Sequence, residues 1–278
     1  MNIRIGHRLL SLETPLVMGI LNITPDSFHD GGKFDGLDAA LKQAEKMLLE
    51  GATIIDIGGQ STRPGAEIVS EDEELVRVLP IIEGIRKSFP EAILSIDTFN
   101  ANVATKAVAA GANIVNDISA GDEDPQMFEA ISKLKVPYIL IHKQGTPKTM
   151  QQNPCYENVL MEVFDYLTRK TTELRRLGVA DLIIDPGFGF GKTVEHNYTL
   201  LAHLKEFKLL DFPILVGVSR KSMINKVLGI SSEDALNGTI ILNTMALMNG
   251  ASILRVHDVK EAVEAVALFN RLLVGKAG

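Results

Sequence analysis

The sequence predicts a (β/α)8 TIM barrel, and three observations carry that expectation. Short apolar runs alternate with longer amphipathic stretches from Leu16 to Leu273. The runs end near positions 22, 56, 97, 116, 142, 185, 219 and 257, a mean spacing of roughly 34 residues that suits a repeated βαβ unit. Nearly every run stops on a polar or charged residue although its body is apolar, as expected where reactive groups gather at the carboxyl ends of barrel strands. A doubly wound dinucleotide sheet would carry Gly-x-Gly-x-x-Gly after its first strand, and the chain lacks it there.

Residues 2–13 read as a short hairpin or extended arm turning near Gly6. The first barrel strand, Leu16–Asn22, runs into the loop TPDSFHDGG. Leu37, Ala40, Leu41, Ala44, Met47 and Leu48 then recur at three- and four-residue spacing, an amphipathic helix. Strand two, 53–57, holds Asp56 near its end and is followed by GGQSTRPGA. Ser70 and Glu73 form a candidate capping box for a helix striped by Leu75, Val78, Leu79, Ile82 and Ile85. The third strand is Ile93–Asp97. A helix over about 100–110 leads to strand four, 113–117, with Asn116 and Asp117. Another helix, near 125–134, leads to strand five, 137–142, which ends on His142 before a long polar loop. The helix expected at 156–177 precedes strand six, Leu182–Asp185. That strand stops on a carboxylate and enters Pro-Gly-Phe-Gly-Phe-Gly-Lys, a backbone able to approach a flat or phosphorylated group closely. Strand seven, 213–219, runs into Arg220 and Lys221. A helix over 232–248, strand eight at 252–257 and a last helix at 259–273 complete the series.

At 278 residues the chain sits near the upper limit for one undivided domain, so residues 1–278 are expected to form a single barrel domain. A net charge of −7 argues against a nucleic-acid binder, which would show a basic face. No apolar run reaches the roughly 20 residues of a membrane span. The opening MNIRIGHRLLSLETP lacks a secretory core and cleavage site. The one cysteine, Cys155, has no intramolecular partner and suits a reducing compartment, so a cytoplasmic location is expected. Its polar surroundings offer no base, and it reads as incidental to the chemistry.

The strand-tail residues separate by charge. Asp97, Asn116 and Asp185 offer two carboxylates and an amide, which suit a heterocycle bearing several N–H donors; their structural alternative is pairing with one another or with Lys221. Lys221, Arg255 and His257, with Arg63 from the loop after strand two, form a cationic set near strands seven and eight, where barrels often hold phosphate. Arg255 and His257 alternate along one strand and are expected to face the same way, with Ser219, Arg220 and Lys221 beside them.

NITPDSF with DGG, STRPGA, SIDT, NDIS, DPGFGFGK, SRKS and RVHD follow one another in an order that resembles the dihydropteroate synthases of the folate pathway, a pterin-binding family. The likeness runs from about Leu16 to Asp258. It implies condensation of 6-hydroxymethyl-7,8-dihydropterin diphosphate with p-aminobenzoate to give dihydropteroate and pyrophosphate, assisted by Mg2+. Carried over motif by motif, it implies that Asp97, Asn116, Asp185 and Lys221 hold the pterin. Arg255 would flank the ring and reach the diphosphate with His257, and Asn22 would help position Mg2+. Thr62, Arg63, Phe190 and Ser222 would line the p-aminobenzoate side, where sulfonamides bind in this family. Asp26 and Asp30 fall on the first loop, which closes over the site in relatives. A homodimer is implied by the resemblance alone. One departure is Lys143, where many relatives carry Met after His142.

The substrates suggest the chemistry. The arylamine is neutral at pH 7 and already nucleophilic, so no general base is needed. An electron-rich dihydropterin can carry a cation on its methylene, which favours loss of diphosphate before attack, with Asp97 offsetting the positive charge. The nearest rival is a corrinoid-linked methyltransferase that binds a pterin on a similar barrel, but it has no use for a diphosphate clamp. A catalytically silent pterin-binding paralogue would not need every motif intact. A Schiff-base aldolase using Lys221 fits the adjacent anion cluster poorly.

Overall fold

The chain opens with an antiparallel hairpin of β1 (Asn2–Ile5) and β2 (Arg8–Ser11), turning at Gly6 with φ +58°. Eight parallel strands follow: β3 (Leu16–Asn22), β4 (Ile54–Gly58), β5 (Ile93–Asp97), β6 (Ile114–Asp117), β7 (Tyr138–Ile141), β8 (Leu182–Asp185), β9 (Leu215–Val216) and β10 (Ile253–Val256). The helices between and after them are α1 (Gly32–Leu49), α2 (Glu71–Ser88), α3 (Ala101–Ala109), α4 (Met127–Leu134), α5 (Val159–Arg176), α6 (Val194–Ala202), α7 (Ser222–Leu228), α8 (Leu236–Met248) and α9 (Val259–Lys276). This is a computed structural model, and it describes residues 1–23, 32–60, 69–145, 150 and 153–276, with backbone alone at 32–35 and 276.

Hydrogen bonding runs β8-β7-β6-β5-β4-β3-β10-β9. A parallel bridge between Ile184 and Ile214, with Ile184 N donating to Pro213 O at 3.0 Å, joins β9 back to β8 and closes the ring. The expected (β/α)8 barrel is therefore observed. Strand alternation divides its core in two. Val17, Ile55, Leu94, Val115, Leu140, Ile184, Val216 and Leu254 face out against the helices. Met18, Ile54, Ile114, Ile139, Ile183, Leu215 and Ile253 face in, where each stabilises the fold by roughly 2–3 kcal/mol. The hairpin packs Ile3 and Ile5 into that inner layer, while Arg4 N donates to Asp181 Oδ1 and Arg8 pairs with Glu91. Asp181 and Glu91 precede β8 and β5, so the arm plugs the amino-terminal end of the barrel and leaves the other end for function.

Further along β4, β5, β6, β8 and β10 the inward positions become Asp56, Asp97, Asn116, Asp185 and Arg255. A period of two thus converts an apolar floor into a polar mouth. Several boundaries differ from those expected. Ser70 caps α2 through Glu73 N, but the Glu73 carboxylate turns to Arg77 and leaves the box half made. The expected 213–219 strand shrinks to Leu215–Val216, because the chain leaves the sheet toward Arg220, held at φ +56°. The expected 232–248 helix is observed as α8, starting at Leu236 after a turn formed by Ser231 and Asp234, and a separate short helix that was not expected, α7, precedes it and ends at Gly229 with φ +65°. Among the described residues no helix is long and apolar enough to cross a membrane.

Candidate active site

The mouth is organised around Asp56, a wholly buried carboxylate one step below the rim. Its Oδ2 accepts from Arg255 Nε at 2.6 Å and from Asn116 Nδ2 at 2.9 Å. The same guanidinium reaches Asp97 Oδ2 through Nη2 at 2.6 Å, so one planar fork joins β10 to both β4 and β5. Buried carboxylates need a donor, and Arg255 supplies it. Of the six buried side-chain oxygens without a hydrogen-bond partner among the described residues, three lie on these inward strand positions: Asp56 Oδ1, Asn116 Oδ1 and Ser95 Oγ.

On the opposite wall the loop after β8 folds back on itself. Gly187 N donates to Asp185 Oδ1 at 2.7 Å, so this carboxylate turns its own loop rather than capping α6, which Thr193 caps instead. The glycine run approaches its own chain first: a Cβ on Gly187 would sit 1.8 Å from His142 O, and one on Gly191 2.2 Å from Gln144 O. Lys221, leading into α7, donates to Phe188 O and lies 4.5 Å from the Phe190 ring centroid.

Burial pushes Asp97 up to about 7 against the pull of Arg255, and it raises Asp185 against Lys221. Burial lowers Lys221 to about 8, with Asp185 opposing. Burial alone would also lower Arg255, but the Asp56 and Asp97 carboxylates outweigh it and hold its pKa above the ordinary value. The result is a dry cluster of carboxylates and an amide threaded by cations, able to match donors and an anion on one ligand.

A model of pterin binding enzymes matches residues 18–257. The chain belongs to the pterin-binding enzyme family. Within that family it is 48% identical to the dihydropteroate synthase of Escherichia coli K12 over 269 residues, covering 96% of this chain and 95% of that one. A dihydropteroate synthase of Yersinia pestis, solved with a sulfonamide drug, superposes with a TM-score of 0.93 at 45% identity, covering 99% of this chain and 100% of the other. That of Xanthomonas albilineans in complex with 7,8-dihydropteroate gives 0.89 at 37% identity, over 98% and 99%.

In this pterin-binding barrel Asp97, Asn116 and Arg255 converge directly through Asp56, while Asp185, Lys221 and Phe190 share the facing wall. Asn22 ends β3 opposite Gly58, with its Oδ1 3.6 Å and Asp97 Oδ2 3.8 Å from where a Cβ on Gly58 would stand. Ser222 is exposed at the start of α7. Thr62 and Arg63 lie outside the described residues, as do Asp26 and Asp30.

Two expectations need correction. Arg255 does not stand apart from the acidic set; it is that set's counter-ion, because its long side chain reaches inward where the carboxylates are desolvated. Arg220 is not part of an anion cluster: Asp258 holds it bidentately at 2.9 and 2.8 Å, and the carbonyls of Ser232 and Glu233 take Nη1. His257 follows β10 with Nδ1 3.1 Å from Ser219 Oγ, beyond the mouth position of Arg255. Sequence reasoning noted Asp56 without giving it a role; a carboxylate inside TIIDI, on the inward register, was the available signal. Lys143 pairs with Glu123 and lines a cavity of about 630 Å³ with His142, Tyr156 and Tyr166.

Proposed function

We propose that this chain is a dihydropteroate synthase, joining 6-hydroxymethyl-7,8-dihydropterin diphosphate to p-aminobenzoate. The observation that carries the reading is that Asn116 Oδ1 and Asp56 Oδ1 are buried without a hydrogen-bond partner among the described residues, in the mouth that also holds Asp97 and Asp185, acceptors suited to the amino and ring N–H groups of a pterin. Lys221 can donate to the ring's carbonyl and nitrogen side, and Phe190 offers an apolar face to the arylamine. Arg255 then turns part of its fork to the diphosphate, with His257 further out.

The methylene C–O bond breaks with its electron pair leaving on the diphosphate. The Asp97 carboxylate, released from part of its bond to Arg255, faces the cationic methylene. The amine lone pair closes the C–N bond, and its surplus proton passes to water or the departing pyrophosphate. Holding both reactants in line can contribute roughly 7–11 kcal/mol, so no covalent enzyme intermediate is required. Asn22 Oδ1 and the nearby Asp97 are hard oxygen donors of the kind that would hold Mg2+. Mg2+ bound there would share the leaving group's charge.

A cytoplasmic setting belongs to the same reading, supported by the exposed free thiol of Cys155. So does a homodimer through α8 and α9, where Met248, Leu268 and Leu272 stay exposed around a groove of about 280 Å³. Light scattering is expected to give twice the chain mass. The activity is tested by coupled pyrophosphate detection. Release should require the pterin ester and Mg2+, should stop on chelation, and should proceed slowly with a non-nucleophilic arylamine analogue if departure precedes attack. No release with the full substrate pair contradicts the assignment.

A further inference from the structure

Beneath the loop after β8 lies a lysine that the proposed chemistry leaves unused. Lys192 is 2% exposed, and its Nζ donates to the carbonyls of Gly187 at 2.9 Å, Phe190 at 3.0 Å and His142 at 3.3 Å. Nζ also stands 2.9 Å from His142 Nδ1. None of these four partners is a carboxylate. Burial lowers Lys192 to about 7, with the attraction of Asp185 opposing. A desolvated amine is costly to keep unless it is hydrogen-bonded, and here every bond it makes goes to the loop or to His142.

Each acceptor belongs to backbone that carries a group of the mouth. Gly187 also donates its N–H to Asp185, Phe190 presents the ring beneath Lys221, and Phe188 between them takes the Lys221 ammonium. His142 is the tail that directly follows β7, and Gly187 presses against its carbonyl without room for a side chain. Lys192 therefore grips both sides of the contact between the loop and that tail. Lys221 grips the loop from above.

We propose that Lys192 is a positioning residue: its amine pins the 187–191 loop to the β7 tail and thereby fixes Asp185, the Phe190 ring and Lys221 for both substrates. This rests on reading the mouth as the pterin and arylamine site. Lys192→Met keeps the chain length and removes every donor. In steady-state kinetics both KM values should rise about tenfold, in line with lost charged hydrogen bonds, while kcat changes less than about threefold. A side chain that merely fills the core would lower the unfolding midpoint and leave both KM values as they were, and that result overturns the proposal.

If the methionine variant does not fold, Lys192→Gln keeps a shorter donor and should give intermediate KM values; wild-type values overturn the proposal equally. Calorimetric titration with 6-hydroxymethyl-7,8-dihydropterin separates the two ideas. Unaltered protein that binds this pterin yet releases no pyrophosphate when given its diphosphate and p-aminobenzoate defeats the synthase reading, and the variant's Kd still judges Lys192. Unaltered protein that binds no pterin defeats both.

Discussion

Asp56 shows how much one buried carboxylate can organise. It has no solvent exposure, and its single Oδ2 satisfies Arg255 and Asn116 from strands on either side. Breaking such a buried pair leaves an unmatched guanidinium that is only 14% exposed. Asp56→Ala should therefore lower unfolding free energy by about 3 kcal/mol in urea titration. Stability within error of wild type would mean that Asp97 alone satisfies Arg255. Glu74 makes a second case at this scale. Burial raises it from 4.5 to about 7, with the Thr98 hydrogen bond opposing. Between those values the unfolded chain has released the proton and the folded chain retains it, so stability falls as pH rises through that window and is level above it. The loss amounts to roughly 3 kcal/mol. Urea midpoints from pH 4.5 to 7.5 should fall more steeply for wild type than for Glu74→Gln, and parallel profiles would assign the slope to other groups.

Strands and helices with strong periodicity are legible in the sequence. TIIDI, ILSID and LIID are apolar runs of high β-propensity, and they appear within a residue of where the pattern puts them. What escaped prediction depends on contacts across the barrel. The short α7 follows Lys221 with no capping side chain to announce it, and the break before α8 rests on a serine–aspartate turn. Strand β9 is two residues long because the chain must leave the sheet for Arg220 to reach Asp258. The candidate site divides in the same way. Residue types and strand-tail positions are written in the sequence, so Asp97, Asn116, Asp185 and Arg255 could be named. Pairings are not: that Arg255 would lie across the acids, or that Lys192 would turn beneath its own loop, follows from how side chains of different strands meet.

Across the whole molecule the division of labour is axial. The hairpin seals the amino-terminal end, isoleucines from successive strands fill the middle, and the carboxyl ends carry the polar mouth. A ligand entering from the open end meets acceptors at the floor and cations from β10 and the turn after β9, with Arg255 lying across those acceptors. The central claim is that these two sets hold opposite halves of one small molecule. Calorimetry of Arg255→Ala with 6-hydroxymethyl-7,8-dihydropterin and with its diphosphate tests this most directly. Affinity for the diphosphate should fall by at least about thirtyfold, with the bare pterin changed less than about fivefold. Equal losses for the two ligands would contradict it, because Arg255 would then serve only to neutralise Asp56 and Asp97.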